Sequence, residues 1–325
     1  MREPPPARPA PGPRAADVRL SLLALGDWGR RPVDGRSPPA QMQVGEALAR
    51  EDLRAPVDAL VFLGDNFYPH GLEKDELEPR LRLNVAAPYC HYAKLTEKGE
   101  RALGGDCAEP EADRHPVPLW VGLGNHDHHL PSAPLLEAEA VPEYVANWRL
   151  LGTPVETLEL PQGVSLVFYD SSLLRLPARS EGLPELTRAL ASSKGPWRIL
   201  VAHHPFDGTE ASARVERAIA ASGVRAQLHL AGHIHDLRGG ELAAPLPALQ
   251  IVSGGGGGHE SSGKTLPGET WKRSALGFAR VDLVAAGGAE RLRVRVYAVD
   301  PGAPDGQLVA AWSIALGGAV IRETP

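Results

Sequence analysis

No stretch of about 18 apolar residues interrupts this chain, so no transmembrane helix is expected. Basic residues do not dominate either: 34 Lys and Arg stand against 40 Asp and Glu, a formal net charge of −6. That balance lacks the clustered positive footprint of a nucleic-acid binder. Met1 to Ala16 is mostly Pro, Ala and Arg and has no apolar h-region, so it does not read as a secretory signal peptide. It reads as a disordered leader, residues 1–16, ahead of a single domain over 17–325. Aromatic residues are few, at 5%, and cysteines number only two. Cys90 and Cys107 share one loop-like stretch, and either stay as separate thiols or form a local disulfide. Such a bond would be worth ~3 kcal/mol by loop entropy and would imply an oxidising, extracytoplasmic compartment.

What is present in quantity is glycine (35), proline (31) and a 43% hydrophobic fraction, in 325 residues. This is enough for one large α/β domain with many turns. Val18 to Leu25 alternates and then turns continuously apolar, as a strand entering a core does. A helix-like face over Gln41 to Leu53 and a second buried strand over Val57 to Leu63 complete a parallel crossover unit. Further strands are predicted over Leu119–Leu123, Val164–Tyr169, Arg198–Ala202, Ala226–Leu230, Leu249–Val252, Phe278–Leu283 and Arg291–Val299. Helices are predicted over Asp75–Asn84, Glu137–Leu150 (interrupted by Pro142), Pro184–Ser193 and Ser212–Ser222. Pro304-Asp305-Gly306 signals a turn into a closing hairpin that ends with Leu308–Leu316. The Gly254 to Gly258 run reads as a flexible loop.

Five blocks each follow a strand-like run and carry metal-ligand side chains: Gly26-Asp27-Trp28-Gly29, Gly64-Asp65-Asn66-Phe67-Tyr68, Gly124-Asn125-His126-Asp127, His203-His204-Pro205 and Gly232-His233-Ile234-His235. In open α/β sheets, ligands bind beyond the carboxyl ends of the strands, so five strand ends can deliver donors to one rim. Glycine precedes Asp27, Asp65, Asn125 and His233, where the chain must turn sharply. A single Gly-Asp pair is usually only a turn. The ordered series supplies carboxylates, an amide, a phenol and imidazoles, enough for two metal ions with a shared bridge. Paired metals of this kind hydrolyse phosphoesters.

These ordered blocks resemble the metallophosphoesterase superfamily, and specifically its purple acid phosphatases of the small, tartrate-resistant type. Most of the superfamily has Asp-x-His in the first block. Here Gly29 stands where that histidine would be, and Tyr68 supplies the Gly-Asp-x-x-Tyr phenol that purple acid phosphatases use instead. The likeness spans roughly Leu20 to Val299, and departs from the family in the longer Pro69–His115 segment, in His203-His204-Pro205 and in the leader.

The resemblance implies a four-layer α-β-β-α sandwich of two mixed sheets. It implies Asp27, Tyr68 and His235 around Fe(III), then Asn125, His203 and His233 around a divalent Fe, Zn or Mn, with Asp65 bridging. The family's His-x-Pro places the ligand at His203 and leaves His204 facing substrate or packed beneath it. His126 is the candidate general acid, and Asp127 either orients it or bonds nearby backbone. His70, His128, His129 and His259 are further pocket candidates, each more simply an exposed loop histidine. The implied activity is hydrolysis of small phosphate monoesters by a metal-bound hydroxide, in a monomer with no nucleic-acid or membrane partner. The rival readings are a phosphodiesterase or nucleotidase with two divalent ions, and a phosphate- or metal-binding protein without turnover.

Overall fold

The computed structural model describes residues 8–177, 182–258 and 263–324; His259 lies outside them. Two mixed sheets form the centre. The first sheet contains β1 (Val18–Leu25), β2 (Ala59–Leu63), β3 (Leu119–Gly122) and β4 (Trp148–Leu150), all mutually parallel. The long strands β12 (Leu276–Ala286), β13 (Ala289–Val299), β14 (Gln307–Ala315) and β15 (Val320–Glu323) extend it antiparallel from β1.

The second sheet has β6 (Val164–Tyr169), β7 (Trp197–Val201), β8 (Leu228–Ala231) and β10 (Leu249–Ser253) as its parallel centre. The strands β5 (Val155–Leu160), β9 (Leu237–Glu241) and β11 (Glu269–Arg273) flank it antiparallel.

Alternation along each strand sets the layers. In β1, Leu22 and Ala24 face Leu228, Leu230 and Ile251 across the gap between sheets, with Val294 and Trp312 in the same core. Leu23 and Leu25 point the other way, onto Val44, Ala47 and Leu48 of the helix Pro39–Arg54. On the far side, Val167 and Leu200 pack against Leu186 and Leu190 of the helix Gly182–Ser192 and Val215 and Ile219 of the helix Glu210–Ala221. The result is the expected four-layer α-β-β-α sandwich.

Several local readings change. Glu137–Leu150 is not one helix: short helical turns end at Glu143, and Trp148–Leu150 pairs with β3 as an edge strand. Asp75–Asn84 is helical, as part of a longer irregular helical stretch from Lys74 to Tyr89. Cys90 and Cys107 are bonded, with Cα atoms 5.2 Å apart.

The leader, expected to be disordered over residues 1–16, is tied down from Arg8 onward. Gly12 N–H donates to Leu53 O at 2.6 Å, Arg14 clasps Asp58 in a two-pronged bond, and Arg8 meets Glu46 and Glu109. The arginines that made this segment look merely polar find carboxylates on the domain surface.

Candidate metal centre

The five blocks leave the carboxyl ends of β1, β2, β3, β7 and β8, and they converge. Tyr68 Oη lies 3.0 Å from Asp27 Oδ1, 2.8 Å from Asp65 Oδ2 and 2.9 Å from His235 Nε2. A second group adjoins the first, with Asn125 Oδ1 3.1 Å from His203 Nε2 and 3.0 Å from His233 Nδ1. Asp65 faces both groups: its other oxygen, Oδ1, is 3.4 Å from His203 Nε2. All seven predicted ligands therefore share one rim.

The backbone is bent to achieve this. Asp27, Asp65 and His233 take positive φ values of 61°, 54° and 68°. Non-glycine residues rarely accept this region, and such strain gathers at functional sites. Close approaches explain two of the neighbouring glycines. A Cβ on Gly124 would strike the Asp65 carboxylate, and one on Gly29 would run into the carbonyl oxygen of Asn66. Position 29 thus has no room for any side chain, a stronger statement than the lack of a histidine there. The Gly254–Gly258 run is not the flexible loop expected. A Cβ on Gly254, Gly255, Gly256 or Gly257 would collide with the backbone of Ile234, Ala275, Gly26 or Trp28 respectively.

Hydrogen bonds fix which nitrogen of each ring faces the centre. A carbonyl only accepts, so His203 Nδ1–H donates to Leu63 O at 2.9 Å and turns Nε2 inward. His126 Nδ1–H donates to Pro69 O at 2.6 Å, leaving Nε2 as its working atom, and the ring lies 4.4 Å from that of Tyr68. Asp27 Oδ2 accepts the His233 backbone N–H at 2.8 Å.

The electrostatics fit a cationic occupant. Tyr68 is asked to serve both Asp27 and Asp65 with a single proton, a task a cation does better. Burial, then the charges of Asp27 and Asp65, pushes the Tyr68 phenol far above its ordinary value. Burial acts against the charge on His203, but the Asp65 carboxylate outweighs it and holds that imidazole up to about 9. Asp65 in turn is kept well below the carboxylate range, because the His203 charge overcomes the cost of burial. His233 is pushed down to about 4, by burial and then by the charge of His203. Anionic and phenolic oxygens on one side and an amide with two imidazoles on the other make a donor set of mixed hardness suited to two different metal ions.

Two roles left open by the sequence resolve to one of their alternatives. Asp127 does not turn toward His126. Its fully buried carboxylate accepts the backbone N–H groups of Gly124, Asn66 and Phe67 at 2.8 to 3.1 Å, stitching two of the ligand loops together. Burial, then the charge of Asp65, raises its carboxyl to about 7. His204 packs under the second group, its ring 4.3 Å from that of His233, with Nδ1 2.9 Å from Ser171 Oγ. Burial, then the charge of His203, keeps it neutral far below the usual imidazole range.

Of the other histidines, His129 also reaches Pro69 O at 3.0 Å and lies 3.4 Å from His70, while His128 bonds Asp170 at 2.6 Å. Sequence reasoning missed Arg30. Its guanidinium lies 4.7 Å over the Tyr68 ring and 2.9 Å from His235 Nδ1. Its place one residue after the first block was the only signal.

The sequence profile of the calcineurin-like phosphoesterase family matches residues 20–237. Purple acid phosphatase 17 of Arabidopsis thaliana is 25% identical over 283 residues, which cover 78% of this chain and 73% of that protein. Purple acid phosphatase 3 of the same plant is 26% identical over 256 residues, 75% of this chain and 65% of the relative. Among solved structures, GAP50, described as the anchor in the inner membrane complex of Plasmodium, matches with a TM-score of 0.64 at 16% identity, covering 90% of this chain and 88% of that one. Purple acid phosphatase PPD1 from yellow lupin (Lupinus luteus) seeds matches with a TM-score of 0.58 at 15% identity, over 95% of this chain but 55% of its own. At these identities the structural likenesses speak for the fold alone. The profile match, over more than half of the chain, shows that the chain belongs to the calcineurin-like phosphoesterase family, a family of phosphoester hydrolases, and the plant relatives make it similar to purple acid phosphatases.

Proposed function

We propose that the rim is the two-metal centre of an acid phosphatase acting on small phosphate monoesters. Asp27, Tyr68 and His235 would hold trivalent iron, Asn125, His203 and His233 would hold divalent Fe, Zn or Mn, and Asp65 would join the two. The observation that carries this reading is Tyr68 Oη lying within hydrogen-bonding distance of two carboxylates and an imidazole. A buried phenol so placed is an anionic oxygen donor in waiting, the kind a hard trivalent ion prefers. When bound, such a cation pair draws charge from phosphate oxygens and lowers the pKa of water, so that no serine or cysteine nucleophile is needed.

The chain's own residues supply the rest. His126, with Nδ1–H pinned on Pro69 O, presents Nε2 as the atom that protonates the leaving alkoxide. Asp127 positions the loops of Asn125 and Asp65 through backbone bonds and does not touch the reaction. Arg30 has a conditional role. It donates to His235 Nδ1, which requires the ring's proton on Nε2. With His235 as a ligand through Nε2, its ring proton would lie on Nδ1, facing the guanidinium, and Arg30 would be free to turn from His235 and hold a phosphate oxygen at the mouth of the site.

The test combines metal analysis, a visible spectrum of iron-loaded protein, and a comparison of p-nitrophenyl phosphate with its bis-ester. Iron bound with a violet absorption, lost in Tyr68→Phe, and a preference for the monoester at acidic pH are expected. Colourless iron-loaded protein would sink the Tyr68 assignment. A preference for the bis-ester, or a profile peaking only above pH 8, would favour the diesterase reading. We also propose an oxidising, extracytoplasmic location, which the Cys90–Cys107 bond supports. Two free thiols in protein alkylated at extraction would contradict it.

A further inference from the structure

A second group of metal-ligating side chains lies at the opposite ends of the same strands. Asp52 sits in the last turn of the helix Pro39–Arg54, where its Oδ1 accepts the Val57 N–H, just before β2, at 2.8 Å. His115 precedes β3. The rim residue Asp65 follows β2, and eight residues of largely extended chain separate it from Val57, on the order of 25 Å. The two groups cannot share an ion.

The local geometry is that of an incomplete coordination shell. Asp52 Oδ2 is 2.8 Å from His91 Nε2 and 2.8 Å from His115 Nδ1. The three ligand atoms lie within 4.8 Å of one another. Asp52 and His91 are buried, whereas the His115 side chain is 42% exposed and can shift.

Three further observations point to a cation. First, the other nitrogen of His91, Nδ1, is 2.8 Å from Glu109 Oε1. A carboxylate behind a ligating histidine fixes its tautomer and aims its free nitrogen, which is how metal-binding histidines are usually held. Second, the disulfide Cys90–Cys107 is adjacent to His91 and two residues from Glu109, so both are fixed before any ligand arrives. Third, a cavity of about 640 Å³ opens beside the group, giving water room to complete a shell. Asp52, Glu109 and Asp113 line it, with Arg8 and Arg114 beside them.

We propose that Asp52, His91 and His115 bind one divalent ion of the zinc class, with the fourth position open to the cavity, at a site separate from the phosphoesterase centre. Two imidazole nitrogens and one carboxylate oxygen are a donor set that zinc accepts, with bonds near 2.0–2.1 Å. A tetrahedral shell of that size spaces its ligands about 3.3 Å apart, so the present 2.8 Å contacts must open by about half an ångström. Binding would take the proton between His91 Nε2 and Asp52, and would leave the His115 ring proton on Nε2, away from the ion. The ion would tie the end of the helix Pro39–Arg54, the disulfide loop and the start of β3 to one point.

The competing description is a closed cluster in which a proton on His91 takes the cation's place. Ion counting separates the two. The full chain is stripped with chelator and dialysed against micromolar Zn²⁺ alone, and zinc per chain is then measured for wild type and for His115→Ala, with His91→Gln as a second variant. His115→Ala removes an exposed ring and leaves every rim ligand in place. One fewer ion per chain in His115→Ala, together with loss of the zinc-dependent rise in Tm, is the expected result. Equal counts in wild type and His115→Ala overturn the proposal. The difference is read whether the rim itself retains two zinc ions, one or none, so this inference and the phosphatase reading fail separately.

Discussion

The eight-stranded sheet delivers oxygen to the rim, and the seven-stranded sheet delivers nitrogen. Asp27, Asp65, Tyr68 and Asn125 follow β1, β2 and β3, whereas His203, His233 and His235 follow β7 and β8. The two halves are held differently. The oxygen half is locked from within: Asp27 and Asp65 sit in left-handed conformations, and Asp127 ties the loops through backbone N–H groups. The nitrogen half borrows its orientation from its neighbour. His203 is aimed by the carbonyl of Leu63, and the His233 backbone bonds Asp27. The centre therefore exists only once the sheets have packed, and its geometry inherits the rigidity of the apolar core between them.

Asp65 faces both ligand groups, through Oδ2 to Tyr68 and Oδ1 to His203, so replacing it gives the largest effect. Asp65→Asn keeps the shape but leaves the two groups without their shared charge. Bound metal should fall from two ions per chain to one or none, and kcat/KM by about a thousandfold, several kcal/mol of transition-state stabilisation. Metal analysis beside a p-nitrophenyl phosphate assay checks both. A variant that keeps both ions would mean the two ligand groups bind independently.

The second prediction concerns stability and isolates the nitrogen sheet. His229, on β8, is fully buried between Tyr169 and Gln250, with its ring 4.3 Å from that of Phe206. Burial pushes it down to about 4. A base depressed in the folded state makes its contribution above its unfolded pKa of about 6.5 and loses it as pH falls through about 4. The unfolded chain takes up the proton first, and the folded state weakens by an amount on the order of 3 kcal/mol across that window. Urea unfolding of metal-depleted wild type and His229→Gln at pH 7, 5 and 4 should show the variant with the shallower acid decline. Parallel declines would place the acid sensitivity elsewhere.

Much of this was legible in the chain because each block joins an apolar run, a glycine and a ligand side chain, and such ends of parallel strands meet. The parts that escaped have physical reasons. Strand β9 reads Leu-Arg-Gly-Gly-Glu, poor in β-formers, and is a strand only because β10 and β11 pair with it on either side. Trp148–Leu150 hides in a helix-like stretch and becomes a strand by pairing with β3. A run of glycines looks flexible in one dimension, but its tight contacts with distant backbone are visible only in three. For Asp127 the sequence offered two roles, and only the fold shows that its carboxylate serves the N–H groups of Gly124, Asn66 and Phe67 rather than His126.

His126 sharpens the comparison from the chemical side, since it sits on the oxygen half and is the proposed general acid. His126→Ala should lower kcat by about a hundredfold on an alkyl phosphate, within the range for general acids. The loss should be much smaller on p-nitrophenyl phosphate, whose leaving group needs little protonation. Equal losses on both substrates would make His126 a structural residue.

The smallest effect expected belongs to Arg30, which touches a residue of each half. Its guanidinium lies over the Tyr68 ring and contacts His235 Nδ1. If metal loading moves the His235 proton to Nδ1, Arg30 is repelled from the nitrogen half and freed for the phosphate of the substrate. Arg30→Ala should then raise KM about tenfold, roughly 1.4 kcal/mol of a charge-assisted bond, while kcat changes little. Arg30→Lys should recover only part of this, because a point charge lacks the planar fork. The opposite pattern, kcat falling with KM unchanged, would mean that Arg30 keeps its place on His235 in the loaded enzyme and tunes the metal ligand instead.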